Sequence, residues 1–363
     1  MSKRNKIVLF HPYVPKSSIK AIKQVLNSRW IGQGSKVDEF EKLWEEKISF
    51  SHRAIAVGSG TDALHLAYIL AGIKEGDEVI APIFTCTATN IPLLYQKAKI
   101  VFADVKKDNL NIDPEDIRKK ITSRTKAIVV VHYGGFSCDM DEIQALADEY
   151  GIPIIEDACQ AHGSVYKDRK IGSISDFTCF SFQAIKLITT ADGGMLTIKD
   201  SKLASKAKKI RWFGINRTAK LKDKWDNDIT DVGYKYQMTD VAASMGITAL
   251  KEFDQTLAHH QELAETYRQE LEGMREVKYV GGPSICTIFT KKRDEIKKAL
   301  EKEEIESNQV HYRNDKYSIF GGKINTCPNM DALESKYLVL PQHYYLNIKD
   351  IKYICSIIKK ICR

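Results

Sequence analysis

The chain has no apolar run long enough to cross a bilayer, which takes about 20 residues with few charges. Nor does its start look like a secretory leader. Ile7-Val8-Leu9-Phe10 is too short for the apolar part of one, and His11-Pro12 ends it. Both absences lead us to expect a cytoplasmic protein. The 8 cysteines include no Cys-x-x-Cys pair, and the 9 histidines show no metal-ligand spacing. Reduced thiols are therefore expected, with neither a disulfide frame nor a metal site. Cys179 and Cys355 fall in segments where cysteine serves as a small core residue. Proline is sparse, at 9 of 363 residues, and no Pro/Gly/Ser-rich linker, internal repeat or low-complexity tract divides the chain.

The excess of positive charge is modest, with 55 Lys and Arg against 47 Asp and Glu. Basic residues concentrate at 202–224, 291–302 and 352–363, where most alternate with acids or apolar residues. That is the pattern of solvated helix faces and argues against nucleic acid as a partner. A mildly basic surface instead suits an anionic small substrate.

What the chain does have is a regular alternation. Apolar runs at 54–57, 78–81, 100–103, 127–131, 153–156, 177–182 and 195–198 read as seven strands. Helical patterns at 61–70, 114–120 and 140–150 lie between several of them, and Asp113-Pro114 has the chemistry of a helix start. This predicts an α/β fold with a mostly parallel sheet covered on both faces. From Thr239 the texture changes to one long amphipathic helix over 241–272, a strand over 285–290, and helices over 292–302 and 348–361. We expect a large domain at 1–249 and a smaller α+β domain at 250–363, joined through a continuous helix. His259 and His260 are expected on its solvated face.

Lys186 stands out as a lone cation. Between Lys170 and Lys199 the only other charged residues are Asp176 and Asp192. An ammonium among apolar neighbours is partly desolvated, which frees the amine as a nucleophile. The alternative is a lysine snorkelling out of an apolar turn. Two more segments favour chemistry. Ile154-Ile155-Glu156-Asp157 reads as a buried strand with acids at its carboxyl end, where α/β sheets bind ligands. A carboxylate there can hold a pyridine nitrogen protonated. Gly58-Ser59-Gly60 joins a strand to a helix, a junction whose free N–H groups attract a phosphate. It lacks the third glycine of a dinucleotide fingerprint. A phosphate cradle, a strand-end acid and a desolvated lysine together describe a pyridoxal phosphate site.

In order and spacing, Gly58 through Leu64, Ile154 through Gly163 and Ser181 through Gly194 resemble the StrS/DegT-type sugar aminotransferases. These use pyridoxal 5'-phosphate on the type I, aspartate-aminotransferase-like fold. The resemblance implies that Lys186 forms the internal aldimine and that Asp157 pairs with the pyridine nitrogen. Gln160 would sit near the phenolic oxygen, and Gly60, Thr61 and Ser181 would hold the phosphate. Cys86 occupies the place of a ring-stacking aromatic, with Phe182 and Phe84 as candidate substitutes. The resemblance also implies a homodimer in which one subunit lends the other a phosphate contact. Lys235 is the candidate, where many relatives carry asparagine, and Gln237 stands where they carry arginine. A branch of the family with histidine in place of Lys186 removes a hydroxyl instead, so lysine argues against that branch.

The same resemblance implies a ping-pong transfer from L-glutamate, through pyridoxamine 5'-phosphate, to a nucleotide-linked 4-keto-6-deoxyhexose. Residues 309–320 look like the matching segment of viosamine-type enzymes. His311 and Tyr312 would approach the sugar, and Arg313 would meet its diphosphate with paired donors. Trp30 through Gly34 and Arg211 through Gly214 would line the cleft. The alternatives are a 3-keto sugar or small phosphorylated ketone as substrate, or a non-catalytic sensor of nucleotide sugars.

Overall fold

The computed structural model describes residues 6–217 and 229–362. Lys220, Lys222 and Lys224 of the first basic stretch lie outside them, as does the chain's basic start at Lys3 and Arg4. The seven expected strands form as β1 (Arg53–Val57), β2 (Glu78–Pro82), β3 (Lys99–Ala103), β4 (Thr125–Val131), β5 (Ile154–Asp157), β6 (Phe177–Ser181) and β7 (Gly194–Ile198). They make one sheet in the order β1-β7-β6-β5-β4-β2-β3. Neighbours pair in parallel from β3 across to β6, and β7 runs antiparallel to both β6 and β1.

Period-two alternation sends the strand side chains into two separate cores. Ala54, Ile80, Ile128, Ile154 and Phe180 face one, while Ile55, Val79, Val129, Ile155 and Cys179 face the other. Burying each large apolar side chain contributes about 1.5–3 kcal/mol, so the sheet is a stiff platform for whatever its edge carries. Helices cover it, among them α1 (Ser35–Trp44), α2 (Gly60–Leu70), α3 (Thr87–Tyr95), α4 (Pro114–Lys120) and α5 (Met140–Tyr150). The Asp113 carboxylate caps α4 by accepting from the Glu115 N–H at 3.0 Å, with Pro114 in the first turn.

The expected long helix is two, α6 (Asp240–Lys251) and α7 (Phe253–Leu271), so no continuous helix links the two parts of the chain. Residue 249 falls in the last turn of α6. The interruption at Glu252 re-aims α7 toward a second sheet, β8 (Val277–Tyr279), β9 (Cys286–Thr290) and β10 (Tyr337–Leu340), which is wholly antiparallel. Helices α8 (Arg293–Lys302) and α9 (Ile348–Ile361) complete its core with Leu300, Ile354 and Cys355. Ile7 lies in that same core and bridges to Ile305, so the first residues pack with the smaller unit. His259 and His260 are not solvated as expected. Their rings meet the carbonyls of Leu346 at 2.9 Å and Pro283 at 3.0 Å, and His260 is buried. Among the described residues, no helix is long and apolar enough to cross a membrane, and no cluster of three or more His, Cys, Asp or Glu could hold a metal ion.

Candidate active site

Strand register assembles the site. Val57 pairs with Gly194, Gly194 with Ser181, and Cys179 with Asp157, so the ends of β1, β6 and β5 lie along one edge. β1 then turns through Gly58-Ser59-Gly60 into α2, whose first turn the Ser59 hydroxyl caps by accepting from the Asp62 N–H at 3.0 Å. A Cβ added to Gly60 would come within 2.8 Å of the Ser181 Cβ and 3.0 Å of the Cys159 Sγ. Only glycine lets the helix start approach β6 this closely. The N–H groups of Gly60 and Thr61 belong to a first turn, which has no carbonyls before it to bond. With the Ser181 hydroxyl beside them they form an anion cradle. In the same turn, burial pushes the Asp62 carboxyl up to about 6, helped by the Asp192 charge and opposed by hydrogen bonds from Ser59.

Asp157 ends β5 as a buried carboxylate. One oxygen accepts from the Thr89 hydroxyl at 2.7 Å and the other from the Cys159 N–H at 3.0 Å. Thr89 is itself fixed by a 2.8 Å bond to the Thr85 hydroxyl and by the Tyr68 hydroxyl, which donates to its carbonyl at 2.8 Å. Cys86, at the start of α3, is exposed. Its suggested aromatic substitutes do not reach the site. Phe84 packs on Tyr133 and Tyr337, and Phe182 on Phe40 and Trp44, both fully inside the core.

Gln160 is held at both ends of its amide. Its Oε1 accepts from the Gly134 N–H at 2.9 Å, and its Nε2 lies 2.9 Å from the His311 Nε2. Lys186 follows β6 in an irregular turn and borders a cavity of about 60 Å³ together with Gln160, His162 and His311. Residues from the N-terminal segment, α7 and the loop after β10 close the far side, among them His11, His260 and His343. Burial pushes His162 and His311 down to about 3, with the Lys186 charge adding to the effect, and burial lowers His260 and His343 to about 4. At neutral pH His162, His260, His311 and His343 are therefore uncharged on the cavity wall.

The structure thus brings Gly60, Thr61 and Ser181 together in one cradle, and Gln160, Lys186 and His311 around one cavity. Arg313 requires a correction. It is wholly buried, and its guanidinium grips Asp315 in two bonds of 2.6 and 2.7 Å, with Asp331 and the Ile324 carbonyl taking further N–H groups. These bonds use four of its five N–H donors, and with no exposed surface it does not reach a substrate diphosphate; the arginine staples its own segment. Arg211 is likewise buried, against Glu41 at 2.5 Å. Tyr312, half-buried, continues the strand pairing of its segment with Phe84 and Thr85, and its ring lies 4.1 Å from the Lys316 ammonium. Trp30 is 54% exposed at a different cleft with Lys208, Lys209 and Arg217. Its loop is tied to α6, where the Asp240 carboxylate accepts from the N–H groups of Gly34 and Val37 at 2.8 and 3.1 Å. Lys235 is exposed on the segment that runs beside Gly58, with its ammonium 6.0 Å from the Trp212 ring.

Sequence reasoning missed Thr89 and Gly134. Thr89 and Gly134 act through tertiary contacts that no local pattern announces. His162, in the very segment that carries Asp157 and Gln160, stacks at 5.8 Å on both Phe180 and Phe182 and borders the Lys186 cavity.

These groups fit pyridoxal phosphate. A strand-end carboxylate suits its ring nitrogen, an amine its aldehyde, and a cradle that one Cβ would fill suits its phosphate. Comparison with known proteins agrees. The model of the DegT/DnrJ/EryC1/StrS aminotransferase family matches residues 12–359. The chain is 34% identical to a UDP-4-amino-4,6-dideoxy-N-acetyl-beta-L-altrosamine transaminase of Campylobacter jejuni, covering 98% of each. It is 31% identical to the GDP-perosamine synthase of Escherichia coli O157:H7, again covering 98% of each. Among solved structures, AtS13 from Actinomadura melliaura superimposes with a TM-score of 0.93 at 29% identity, covering 98% of this chain and 99% of that one. The PLP-form of Spr1654 from Streptococcus pneumoniae gives 0.90 at 26% identity, covering 99% of each. The chain belongs to the DegT/DnrJ/EryC1/StrS family, and it is a pyridoxal-phosphate-dependent aminotransferase.

Proposed function

We propose that the protein moves an amino group from L-glutamate to a nucleotide-linked 4-keto-6-deoxyhexose, giving a 4-amino-4,6-dideoxy sugar for glycan synthesis. The observation that carries this reading is the placement of Lys186 on a cavity shared with Gln160 and His311, beside a strand-edge carboxylate and an anion cradle. Relatives matched over nearly their whole length bear the names of a UDP-linked amino-sugar transaminase and a perosamine synthase, which supports a nucleotide-linked hexose.

The cofactor, when bound, supplies an electron sink that stabilises a carbanion at the reacting carbon. The chain's own residues do the rest. Gly60, Thr61 and Ser181 bind the phosphate through N–H and O–H donors. Asp157 holds a proton on the ring nitrogen by charge attraction, with Thr89 keeping the carboxylate in place. Lys186 Nζ would hold the cofactor and, as a free amine, would take the proton from the donor's Cα as general base. Cys86 offers a polarizable thiol to the ring face, a weaker contact than an aromatic.

In a homodimer, the partner's Lys235 adds a point charge to the phosphate, consistent with its exposure here. Trp30, His311 and Tyr312 contact the nucleotide sugar, Trp30 doing so from a cleft that a second subunit can complete. We place the division between the large and small domains near Ala249.

The test is the visible spectrum of purified protein supplied with pyridoxal phosphate. The band should fade with glutamate and return with a dTDP-, UDP- or GDP-linked 4-keto-6-deoxyhexose. A band restored by 3-keto sugars and not by 4-keto sugars would overturn the substrate assignment.

A further inference from the structure

We infer that His311 is a positioning residue that fixes the amide of Gln160, so that one N–H of that amide points at the cofactor's phenolic oxygen. The inference rests on the pyridoxal phosphate reading above and deepens it.

Gly134 sets the orientation of the amide. Its φ of 64° lies in the left-handed region, and a Cβ there would come within 3.0 Å of the Ile285 carbonyl oxygen, so glycine is needed. That carbonyl-bound turn is pinned from the other side as well, because the N–H groups of Ser284 and Ile285 donate to the Gly134 carbonyl at 3.0 and 3.2 Å. The Gly134 N–H is thereby aimed at Gln160 and can only donate. Its partner at 2.9 Å must be the amide oxygen, which turns the NH₂ group toward His311. An amide nitrogen has no lone pair to offer, so the His311 Nε2 at 2.9 Å must accept. His311 is therefore neutral, with its proton on Nδ1. Burial and the nearby Lys186 ammonium both oppose a second proton, in agreement with this tautomer.

The histidine itself is delivered to this place. The Tyr337 hydroxyl donates to its carbonyl at 2.5 Å, and the next residues pair with Phe84 and Thr85. The Asn314 N–H donates to the Ile83 carbonyl at 2.7 Å and its side chain to the Thr85 carbonyl at 2.8 Å. The His311 segment is thus stitched to residues 83–85, which lead into Cys86 and the first turn of α3. One Gln160 N–H is occupied by His311, and the other is left with a set direction. An N–H donated to a phenolic oxygen holds negative charge there and makes the neighbouring nitrogen less basic.

The experiment is a pH titration of the visible band of the full-length, cofactor-loaded protein. His311→Leu should move the midpoint up by about one pH unit. His311→Gln, whose amide oxygen reaches the same place as Nε2, should restore the wild-type midpoint. Gln160→Leu should shift the midpoint as His311→Leu does, and the double variant should shift it no further, because the histidine acts only through the glutamine. An unmoved midpoint in His311→Leu overturns the inference, and so does an additional shift in the double variant. In either case the cofactor reading stands. Absence of any visible band in the wild-type protein would overturn both.

Discussion

Two buried or half-buried cations, 127 positions apart in sequence, show how the fold decides what a charge is for. At the carboxyl edge of the large sheet, Lys186 borders a cavity that it shares with Gln160 and with His162 and His311, both kept neutral by burial. In the segment after His311, Arg313 is enclosed by Asp315 and Asp331, with the Glu334 carboxylate 3.6 Å away. The first cation faces open volume and is free to react. The second is neutralised and hydrogen-bonded, and its work is to hold a loop. Breaking a buried pair of the second kind leaves an uncompensated charge, whereas removing a cation of the first kind leaves the fold largely untouched.

Substitutions at the two places should separate chemistry from stability. The largest effect is expected from Lys186→Ala, which should abolish the cofactor's visible band and lower turnover by at least about 10⁴-fold while the melting temperature of the cofactor-free protein stays near wild type. Next comes Asp157→Asn. It should keep the cofactor, seen by its absorbance after gel filtration, and reduce the rate roughly 10²–10³-fold, because an amide cannot hold the ring proton by charge. Arg313→Ala inverts the pattern. Chemical denaturation should show a loss of about 3 kcal/mol, with KM for the nucleotide sugar unchanged in whatever protein remains folded. A raised KM with unchanged stability would return Arg313 to the substrate site.

The smallest effect concerns Asp62, beside the cradle. Its carboxyl is pushed up to about 6 from an ordinary value near 4, so the protonated form favours the fold. That contribution is complete below about pH 4 and is lost as the pH rises through about 6. Asp62→Asn should therefore stabilise the protein by about 1 kcal/mol near pH 8, the figure being reduced for solvent screening of a half-buried group. At about pH 4 the two proteins should melt together. Equal stabilisation at both pH values would contradict the assignment.

The strand edge was legible in the chain because it depends on short-range patterns. Apolar runs place β5 and β6, and Gly58-Ser59-Gly60 names its own turn by needing glycine at Gly60. Strand register then brings Gly194 beside Ser181 without further information. The Arg313 segment was misread for the opposite reason. Asp315 lies two residues on and could have hinted at the pair, but Asp331 lies eighteen residues away and meets Arg313 only in the fold. The single helix expected over 241–272 failed similarly. Its amphipathic pattern continues through Glu252, and Phe253 still packs in the core that α6 enters, so the periodicity does not mark the break. The imidazole–amide pair of His311 and Gln160 joins residues 151 positions apart, beyond any local signal.

The most direct test of the central claim is reductive trapping. Protein loaded with pyridoxal phosphate would be treated with borohydride, digested, and its peptides weighed. The account predicts the cofactor's mass on the peptide containing Lys186, and on no other lysine peptide. Cofactor mass on the Lys199 or Lys235 peptide instead, or on none, would contradict it.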